Sequence, residues 1–411
     1  MKPGGPGGQN AEKSAVVKFQ HIDPACQGGR GGAGQDTTRK RTLPSGMTSA
    51  VHGSLMSAAS LPERNLDLLR AAAVLCVLVA HLLAVWSIDT TPIDNWDLGR
   101  IGVLLFFVHT SLVLMSSLER QGPRPDWVRA FYIRRAFRIY PLAIVTVLAT
   151  AAFGIMPHAL PFGSPGLIVD PQLRTVVADM ALVQNITQDD PVPGMLWTLP
   201  IEVQLYLMLP LAFLLARKSV WAVVAAFAAC SGFAMLVTRG YTDGIPGLWR
   251  LESVVAFAPC FVAGVFAYAI LRRSGRPPLP GWSFALLLLG CVAIFKFSHP
   301  SEELPARGWP FCIAVALAIT LVRDVSESWL TRVAHSICTA SYSIYLLHLA
   351  VFWLAFIVLK DLPLALQWVM FCVFIVGIPV AAYRTIERPG IALGRRIVNV
   401  RTPIAAEVAA P

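Results

Sequence analysis

The sequence is short of charge. Only 14% of its 411 residues are Asp, Glu, Lys or Arg, while 55% are hydrophobic, and an ordinary soluble domain is about a quarter charged. This scarcity excludes a typical soluble protein. The formal net charge is +10, but the basic residues lie between apolar segments and form no single patch. Their distribution indicates membrane orientation and predicts no nucleic-acid partner.

Several catalytic and metal-binding motifs are also absent. The chain contains no phosphate-binding P-loop, no HExxH and no GxSxG, and no CxxC pair. We therefore predict no metal site, no disulfide framework and no permanently bound cofactor. Seven of the eight cysteines lie within apolar segments, where we interpret them as small hydrophobic residues: Cys76, Cys230, Cys260, Cys291, Cys312, Cys338 and Cys372.

Ten apolar segments are present, most of them near the roughly 20 residues that span a bilayer. Only helices or closed barrels satisfy the backbone in lipid, and these segments lack the alternation of barrel strands. We predict an all-α polytopic membrane helix bundle of about ten transmembrane helices. The segments are 66–86, 98–118, 137–156, 196–217, 220–237, 248–271, 282–297, 309–322, 336–359 and 364–386.

The loops predict the orientation of the bundle. Arginine and lysine concentrate after the even-numbered spans, so by the positive-inside rule both termini are predicted to be cytosolic. The long loop 157–195 then faces the exterior and is a candidate lid or acceptor-binding element. The predicted organisation is a disordered cytosolic tail (1–60), a transmembrane domain (61–392) and a short basic cytosolic tail (393–411).

The first span carries two ionisable residues, Arg70 and His81. Their eleven-residue separation is about three turns, or roughly 16 Å of rise, so they share one helix face without touching along it. Ionisable residues inside a span are functional candidates by default. The alternatives are a topology anchor for Arg70 and a packing histidine for His81.

A basic cluster begins the third span, at Arg134, Arg135 and Arg138. Arg135 and Arg138 are three residues apart on one helical face, where two guanidinium groups can grip phosphates together. A plain topology anchor is the alternative.

The fourth span contains Glu202, with Trp197 before it and Tyr206 after it. Counted from the outer surface, Glu202 lies about two turns deep, close to the expected depth of His81. A carboxylate there would orient an imidazole and stabilise its protonated form. The alternatives are a bond to a neighbouring helix or a wet vestibule.

Other polar residues lie near the predicted bilayer midpoint. The ninth span contains a polar run with Tyr345 and His348, and His109 lies at similar depth in the second span. We interpret these residues as structural or pocket-lining. Arg388, after the tenth span, adds a cation to the predicted cytosolic rim.

Taken together, these motifs resemble the acyltransferase-3 family of integral membrane acyltransferases, which includes O-acetyltransferases of bacterial surface polysaccharides. They occur in family order across residues 64–390. The matching pieces are Leu66 to Arg70 with His81, Gly102 to Val108, Arg134 to Pro141, Trp197 to Glu202 with Tyr206 and Pro210, Ser341 to Ser343 with His348, and Ile386 to Pro389. The sequence departs from the family pattern at two places. It has His109-Thr110-Ser111-Leu112 where many members have Leu/Ile-Ser-Gly-Phe, and Leu68 at a position where glycine is frequent in the family.

The resemblance implies transfer of an acyl group, usually acetyl from acetyl-CoA, to a hydroxyl of a carbohydrate or related acceptor. It also implies that Arg70 and His81 are essential and that Arg135 and Arg138 serve donor binding. Our hypothesis is a basic cytosolic mouth at Arg70, Arg135, Arg138 and Arg388, with His81 acting as general base and oriented by Glu202. An acyl-histidine intermediate is the alternative route.

Two other functions are alternatives for the same residues. A transporter or flippase for a lipid-linked sugar or small metabolite also lines its path with buried Arg, His and Glu. A membrane scaffold accounts for the spans but leaves the polar set without a role. The sequence favours the acyltransferase, in the inner (plasma) membrane of a bacterium, with acyl-CoA, a hydroxyl acceptor and membrane lipid as partners.

Overall fold

The structure, a computed structural model, describes residues 62–86, 88, 94–121, 125–153, 172–242, 244–275, 277–297 and 308–400. These residues fold almost entirely as helices. The helices are α1 (Glu63–Val85), α2 (Asn95–Arg120), α3 (Trp127–Phe153), α4 (Leu173–Ala181), α5 (Gln184–Thr187), α6 (Thr198–Tyr206), α7 (Leu209–Lys218), α8 (Val220–Thr238), α9 (Glu252–Leu271), α10 (Ser283–Phe297), α11 (Gly308–Leu321), α12 (Trp329–Phe352), α13 (Leu364–Ala382) and α14 (Arg388–Val400).

Each of the ten predicted apolar segments coincides with a helix or a helix pair. Within the described residues seven helices are long and apolar enough to cross a membrane, and the bent pair α6–α7 makes an eighth. The two remaining segments form the shorter apolar helices α10 and α11, of 15 and 14 residues. The predicted all-α polytopic bundle is confirmed, whereas the number of ten crossings stays a prediction.

Helix α2 forms the centre of the bundle. Its apolar window is 83% buried, against 17% for α8 and for the span Leu364–Asn399 that contains α13, so these two lie at the edge of the bundle. Neighbouring helices approach α2 closely through glycine. A Cβ on Gly102 would lie 2.6 Å from the Ala73 carbonyl of α1, and one on Gly264 of α9 would collide with Ser111 and Val108. This close packing fixes α1 and α9 against α2.

The fourth predicted span is broken. Helices α6 and α7 meet at an angle of 54°, next to Pro210 at the start of α7. Proline has no N–H to donate to the carbonyl of the preceding turn, so the helix bends there. The Tyr132 hydroxyl donates to the Leu207 carbonyl at 3.0 Å and satisfies one acceptor at the break. The bend separates the polar segment of α6 from the apolar α7.

The ends that carry the basic residues lie together on one side of the bundle. Arg272, after α9, contacts Glu119 near the end of α2 at 3.4 Å and the Arg217 carbonyl at the end of α7. Asn65, at the start of α1, donates to the Arg323 carbonyl after α11 at 3.0 Å. The gathering of these ends agrees with the predicted alternation of the loops. That this side is cytosolic stays a prediction, and we call it the predicted cytosolic side.

The long loop predicted at 157–195 is partly described. From residue 172 onward it forms α4, α5 and a 3-10 turn at Gly194–Trp197. Asp179 on α4 is fully buried and accepts from the Val192 amide at 2.6 Å. Burial, together with the charge of Asp189, raises the pKa of the Asp179 carboxyl to about 7. The hydrogen bond between Asp179 and Val192 joins α4 to the part of the segment that leads into α6.

The remaining domain predictions concern the chain ends. The predicted tail 1–60 lies outside the described residues, as do residues 401–411. Helix α14 crosses the predicted boundary between residues 392 and 393 and continues to Val400. Gly390 and Gly394 of α14 lie against Phe137 of α3, so this part of the C-terminal segment is packed on the bundle.

Candidate active site

A cavity opens between α1, α2, α6 and α12. Its empty volume is about 460 Å³ when the open solvent at its mouth is counted. Apolar and aromatic side chains make up most of the wall, and a few polar groups converge on it. The lining residues are Arg70, Val103, Phe106, Phe107, Thr198, Leu199, Glu202, Tyr342 and Tyr345.

Arg70 and Glu202 are the two charged residues of this lining. The Arg70 Nε donates to the Ser341 hydroxyl at 2.6 Å, which ties α1 to α12. Tyr206 lies one turn further along α6 than Glu202, and its hydroxyl donates to the Glu202 carboxylate. Arg70 and Glu202 also attract each other electrostatically. The structure therefore brings together two of the three residues predicted to be catalytic.

Arg135 and Arg138 of α3 join this charged group. Arg135 interacts electrostatically with Glu202, Tyr206, Arg138 and Arg70. Arg138 also forms an ion pair of 3.1 Å with Glu387. Three guanidinium groups thus face two carboxylates, and among these five side chains one positive charge is left unbalanced. Such a group favours an anionic ligand.

Glu387 is a site residue that the sequence analysis did not identify. It is fully buried, and the Ser343 hydroxyl donates to it at 2.8 Å. A π-helical turn at Tyr383–Glu387 joins α13 to α14, and such turns change the direction in which a side chain projects. Its signal in the sequence was a carboxylate in the Ile386 to Pro389 motif, which we interpreted only through the cation Arg388.

His81 lies beside His348. The two rings are 4.8 Å apart between centroids, and His81 Nδ1 is 3.3 Å from His348 Nε2. His81 Nδ1 is also 2.8 Å from the Val77 carbonyl, and His348 Nδ1 is 2.6 Å from the Tyr345 carbonyl. Tyr345 lines the cavity, so the histidine pair is connected to the cavity wall through α12.

Two tyrosines of α12 close the cavity with neutral hydrogen bonds. The Tyr345 hydroxyl lies 2.7 Å from the Thr198 hydroxyl and donates to the Met195 carbonyl at 3.1 Å. The Tyr342 hydroxyl donates to the Ile139 carbonyl of α3 at 2.7 Å. These bonds hold α12 against both α3 and the segment before α6.

The other predicted site residues lie around this centre. His109 on α2 is 3% exposed and close to Arg70 and Arg138, and its Nδ1 has no hydrogen-bond partner among the described residues. Arg134 is instead hydrogen-bonded to Gln121 at the end of α2. Arg388 is exposed on α14, and Trp197 is 43% exposed, in contact with Phe257.

The predicted partnership of Glu202 with His81 is not among the contacts that the structure gives for Glu202. Its hydrogen bond is with Tyr206, and its electrostatic partners include Arg70 and Arg135. Among the contacts described for His81 is one with His348, which the sequence predicts to be structural or pocket-lining. Glu202 therefore belongs to the arginine group rather than to the histidine pair.

Comparison with known proteins identifies the family of this chain. The model of the acyltransferase-3 family, described as an acyltransferase domain, matches residues 63–384. The chain is also 28% identical over 315 residues to acyltransferase MdmB of Streptomyces mycarofaciens, an alignment that covers 69% of this chain and 77% of the relative. No solved structure matches the chain. The family match covers more than half of the chain, includes Arg70, His81, Arg135, Arg138 and Glu202, and shows that the protein belongs to the acyltransferase-3 family of membrane acyltransferases.

Proposed function

We propose that the protein transfers an acyl group from acyl-CoA to a hydroxyl of a sugar, surface glycan or similar acceptor. Acetyl is the acyl group that we propose first. One observation carries this proposal. A cavity lined by Arg70 and Glu202 belongs to a group of three arginines and two carboxylates, and the histidine pair is joined to the cavity wall through Tyr345. Family membership supports acyl transfer over the transporter alternative.

The arginine group accounts for the donor. Coenzyme A carries several phosphates, and guanidinium groups bind phosphate through paired, charge-assisted hydrogen bonds. In our proposal Arg135 and Arg138 hold these phosphates, and Arg70 contributes from α1. The exposed Arg388 adds charge at the rim on the same side. The pantetheine arm then runs along α1, where eleven residues from Arg70 to His81 correspond to roughly 16 Å.

His81 accounts for the chemistry. In our proposal it takes the proton of the acceptor hydroxyl while that oxygen attacks the thioester carbonyl. The new C–O bond forms, the C–S bond breaks, and the proton passes to the sulfur of coenzyme A. Formation of an acyl-imidazole on His81 is the alternative route, and it differs by releasing free coenzyme A before any acceptor is added.

The acceptor approaches from the opposite side in this proposal. Helix α4 and the turns after it lead along the chain to Thr198. The Thr198 hydroxyl and the Tyr345 hydroxyl, which are hydrogen-bonded to each other, form a polar part of the cavity wall. Hydroxyl groups of this kind bind sugar-like molecules through hydrogen bonds. A bundle that takes acyl-CoA from the cytosol in this way resides in the inner (plasma) membrane of a bacterial cell.

Purified protein in lipid nanodiscs tests the proposal. The assay incubates it with [14C]acetyl-CoA and a panel of sugars, glycans and other polyhydroxyl compounds, and follows free thiol and labelled acceptor together. We expect both products in equal amounts with at least one acceptor. A transporter or flippase would give neither labelled product nor released thiol. The same assay without acceptor separates direct transfer from the acyl-imidazole route.

A further inference from the structure

The hydrogen atoms of the two paired histidines are fixed by backbone carbonyls. A carbonyl oxygen only accepts, so His348 Nδ1, 2.6 Å from the Tyr345 carbonyl, carries the hydrogen of the neutral ring. The lone pair of His348 is then on Nε2. By the same argument His81 Nδ1 donates to the Val77 carbonyl at 2.8 Å, and the lone pair of neutral His81 is on Nε2.

The two rings are therefore complementary. The Nε2 lone pair of His348 faces the Nδ1–H of His81 at 3.3 Å, so this hydrogen is shared between the Val77 carbonyl and His348. The second bond is long, as catalytic hydrogen bonds often are before substrate binds. The geometry places one acceptor from each helix on the same nitrogen.

We propose that His348 is a positioning residue that accepts a hydrogen bond from His81 Nδ1, keeps the His81 lone pair on Nε2 for the proton of the acceptor hydroxyl, and stabilises the imidazolium formed during transfer. This rests on the function proposed above. When His81 Nε2 takes the hydroxyl proton, the positive charge is shared by the Nδ1–H that points to His348. His348 itself gains no proton, and the proton on Nε2 leaves with the coenzyme A sulfur.

Packing alone does not require an imidazole at this position. His348 is 1% exposed, and its ring meets Phe352 edge-on at 5.8 Å between centroids and Tyr345 at 6.0 Å. An aromatic ring without nitrogen fills such a space equally well. What phenylalanine lacks is the pair of polar contacts, one to the Tyr345 carbonyl and one to His81. These two contacts can be separated by mutation.

The test uses two amide variants of the full-length protein in nanodiscs. In His348→Asn the amide occupies the place of Nδ1, so it keeps the Tyr345 contact and loses the one to His81. In His348→Gln the amide oxygen reaches the place of Nε2 and accepts from His81. The control is His335→Gln, which removes an exposed histidine of α12 that is bonded to Asp67.

We expect His348→Asn to lower kcat about 10-fold to 100-fold, the size of effect found when a hydrogen-bond partner that orients a metal-bound histidine is removed, with the KM for acyl-CoA unchanged. His348→Gln should recover most of the rate, and the control should behave as wild type. Equal rates for His348→Asn and wild type would overturn the proposal. So would an equal loss in both amide variants, since that marks a packing role.

Nitrogen-15 NMR of the wild-type protein decides the question even if a variant does not fold. The histidines are labelled, and the His81 signals are assigned with the His81→Gln variant. We expect His81 to show a protonated Nδ1 and an unprotonated Nε2. A protonated Nε2 in the neutral ring would refute the proposed role of His348. Absence of acyl transfer by the wild type would instead refute the proposed function, and the tautomer result would still stand.

Discussion

Arg138 and Glu387 form a 3.1 Å ion pair between α3 and the π-helical turn that precedes α14. The Glu387 carboxylate is fully buried, and the Arg138 side chain is 23% exposed. Ser343 of α12 donates to the same carboxylate. Three separate parts of the bundle therefore meet at Glu387, which holds Arg138 in place on the side where we propose that the donor binds.

Glu387→Ala should destabilise the protein strongly. Removing one partner of a buried ion pair leaves the other charge uncompensated, which costs on the order of 3–5 kcal/mol. The measurement is the thermal unfolding midpoint of purified protein. The control is Glu327→Ala, whose partner Arg332 lies 3.8 Å away with both side chains exposed, and its effect should be below about 1 kcal/mol. Equal midpoints for the two variants would show that the buried pair carries no special weight.

Arg135→Ala should weaken the use of acyl-CoA without slowing the chemistry. Loss of a charge-assisted hydrogen bond of about 1.5–3 kcal/mol raises the KM for acetyl-CoA roughly 10-fold to 100-fold, while kcat stays near wild type. With acetyl-pantetheine, which lacks the nucleotide phosphates, the variant and wild type should behave alike. Arg395→Ala, an exposed arginine of α14, is the control. A fall in kcat with unchanged KM would contradict donor binding at Arg135.

Gly264→Ala should disturb the contact between α9 and α2. The added methyl group would collide with the Ser111 side chain and the Val108 carbonyl, and overpacking of this kind costs about 1–3 kcal/mol. Gly290→Ala in α10 is the matched substitution, since nothing lies within 4 Å of its added Cβ. It should stabilise the helix by about 0.5–1 kcal/mol. The thermal midpoint should therefore fall for Gly264→Ala and rise slightly for Gly290→Ala.

The segment before α6 should loosen as the pH rises. The pKa of Asp179 is about 7 in the folded protein and about 3.9 in an unfolded chain. The folded segment thus holds the extra proton between these values, and its stability falls as the pH rises from 4 to 7. Asp189, ion-paired with Arg174 at 3.6 Å, adds to the repulsion.

Hydrogen exchange of the Val192 amide, which donates to Asp179, measures this loosening. After correction for intrinsic rates, its protection should be greater at pH 5 than at pH 8. In Asp179→Asn, which keeps an acceptor oxygen and cannot ionise, protection should change little with pH. Asp190→Asn, at an exposed position, should behave as wild type. Protection that rises with pH in wild type would show the sign to be wrong.

The helices were predictable from the sequence because the apolar segments are local signals. Length and hydrophobicity located all ten segments, and the polar residues inside them marked Arg70, His81 and Glu202 as candidates. The bend after Tyr206 was not predicted, although Pro210 was visible. A break in a span also needs neighbours that satisfy the freed backbone groups, as Tyr132 does here. Such neighbours come from other helices and cannot be read from the proline alone.

The pairing of residues between helices was much less predictable. His81 and His348 are 267 residues apart in the chain, and their contact depends on how α1 and α12 rotate and cross. Depth alone suggested Glu202 as the partner of His81, because both were counted from the membrane surface. The bend and the rotation of α6 instead direct Glu202 to the arginine group. Glu387 was missed for a related reason, since a π-helical turn alters the periodicity that assigns residues to faces.

The measurement that tests the account most directly is acyl transfer by purified His81→Ala in nanodiscs, with [14C]acetyl-CoA and an acceptor that the wild type uses. Loss of a general base lowers the rate by roughly 10²-fold to 10⁴-fold, so we expect transfer close to background. The KM for the donor in wild type, the thermal midpoint of the variant and the exposed substitution His335→Ala serve as references. Transfer at the wild-type rate by correctly folded His81→Ala would contradict the proposed role of His81.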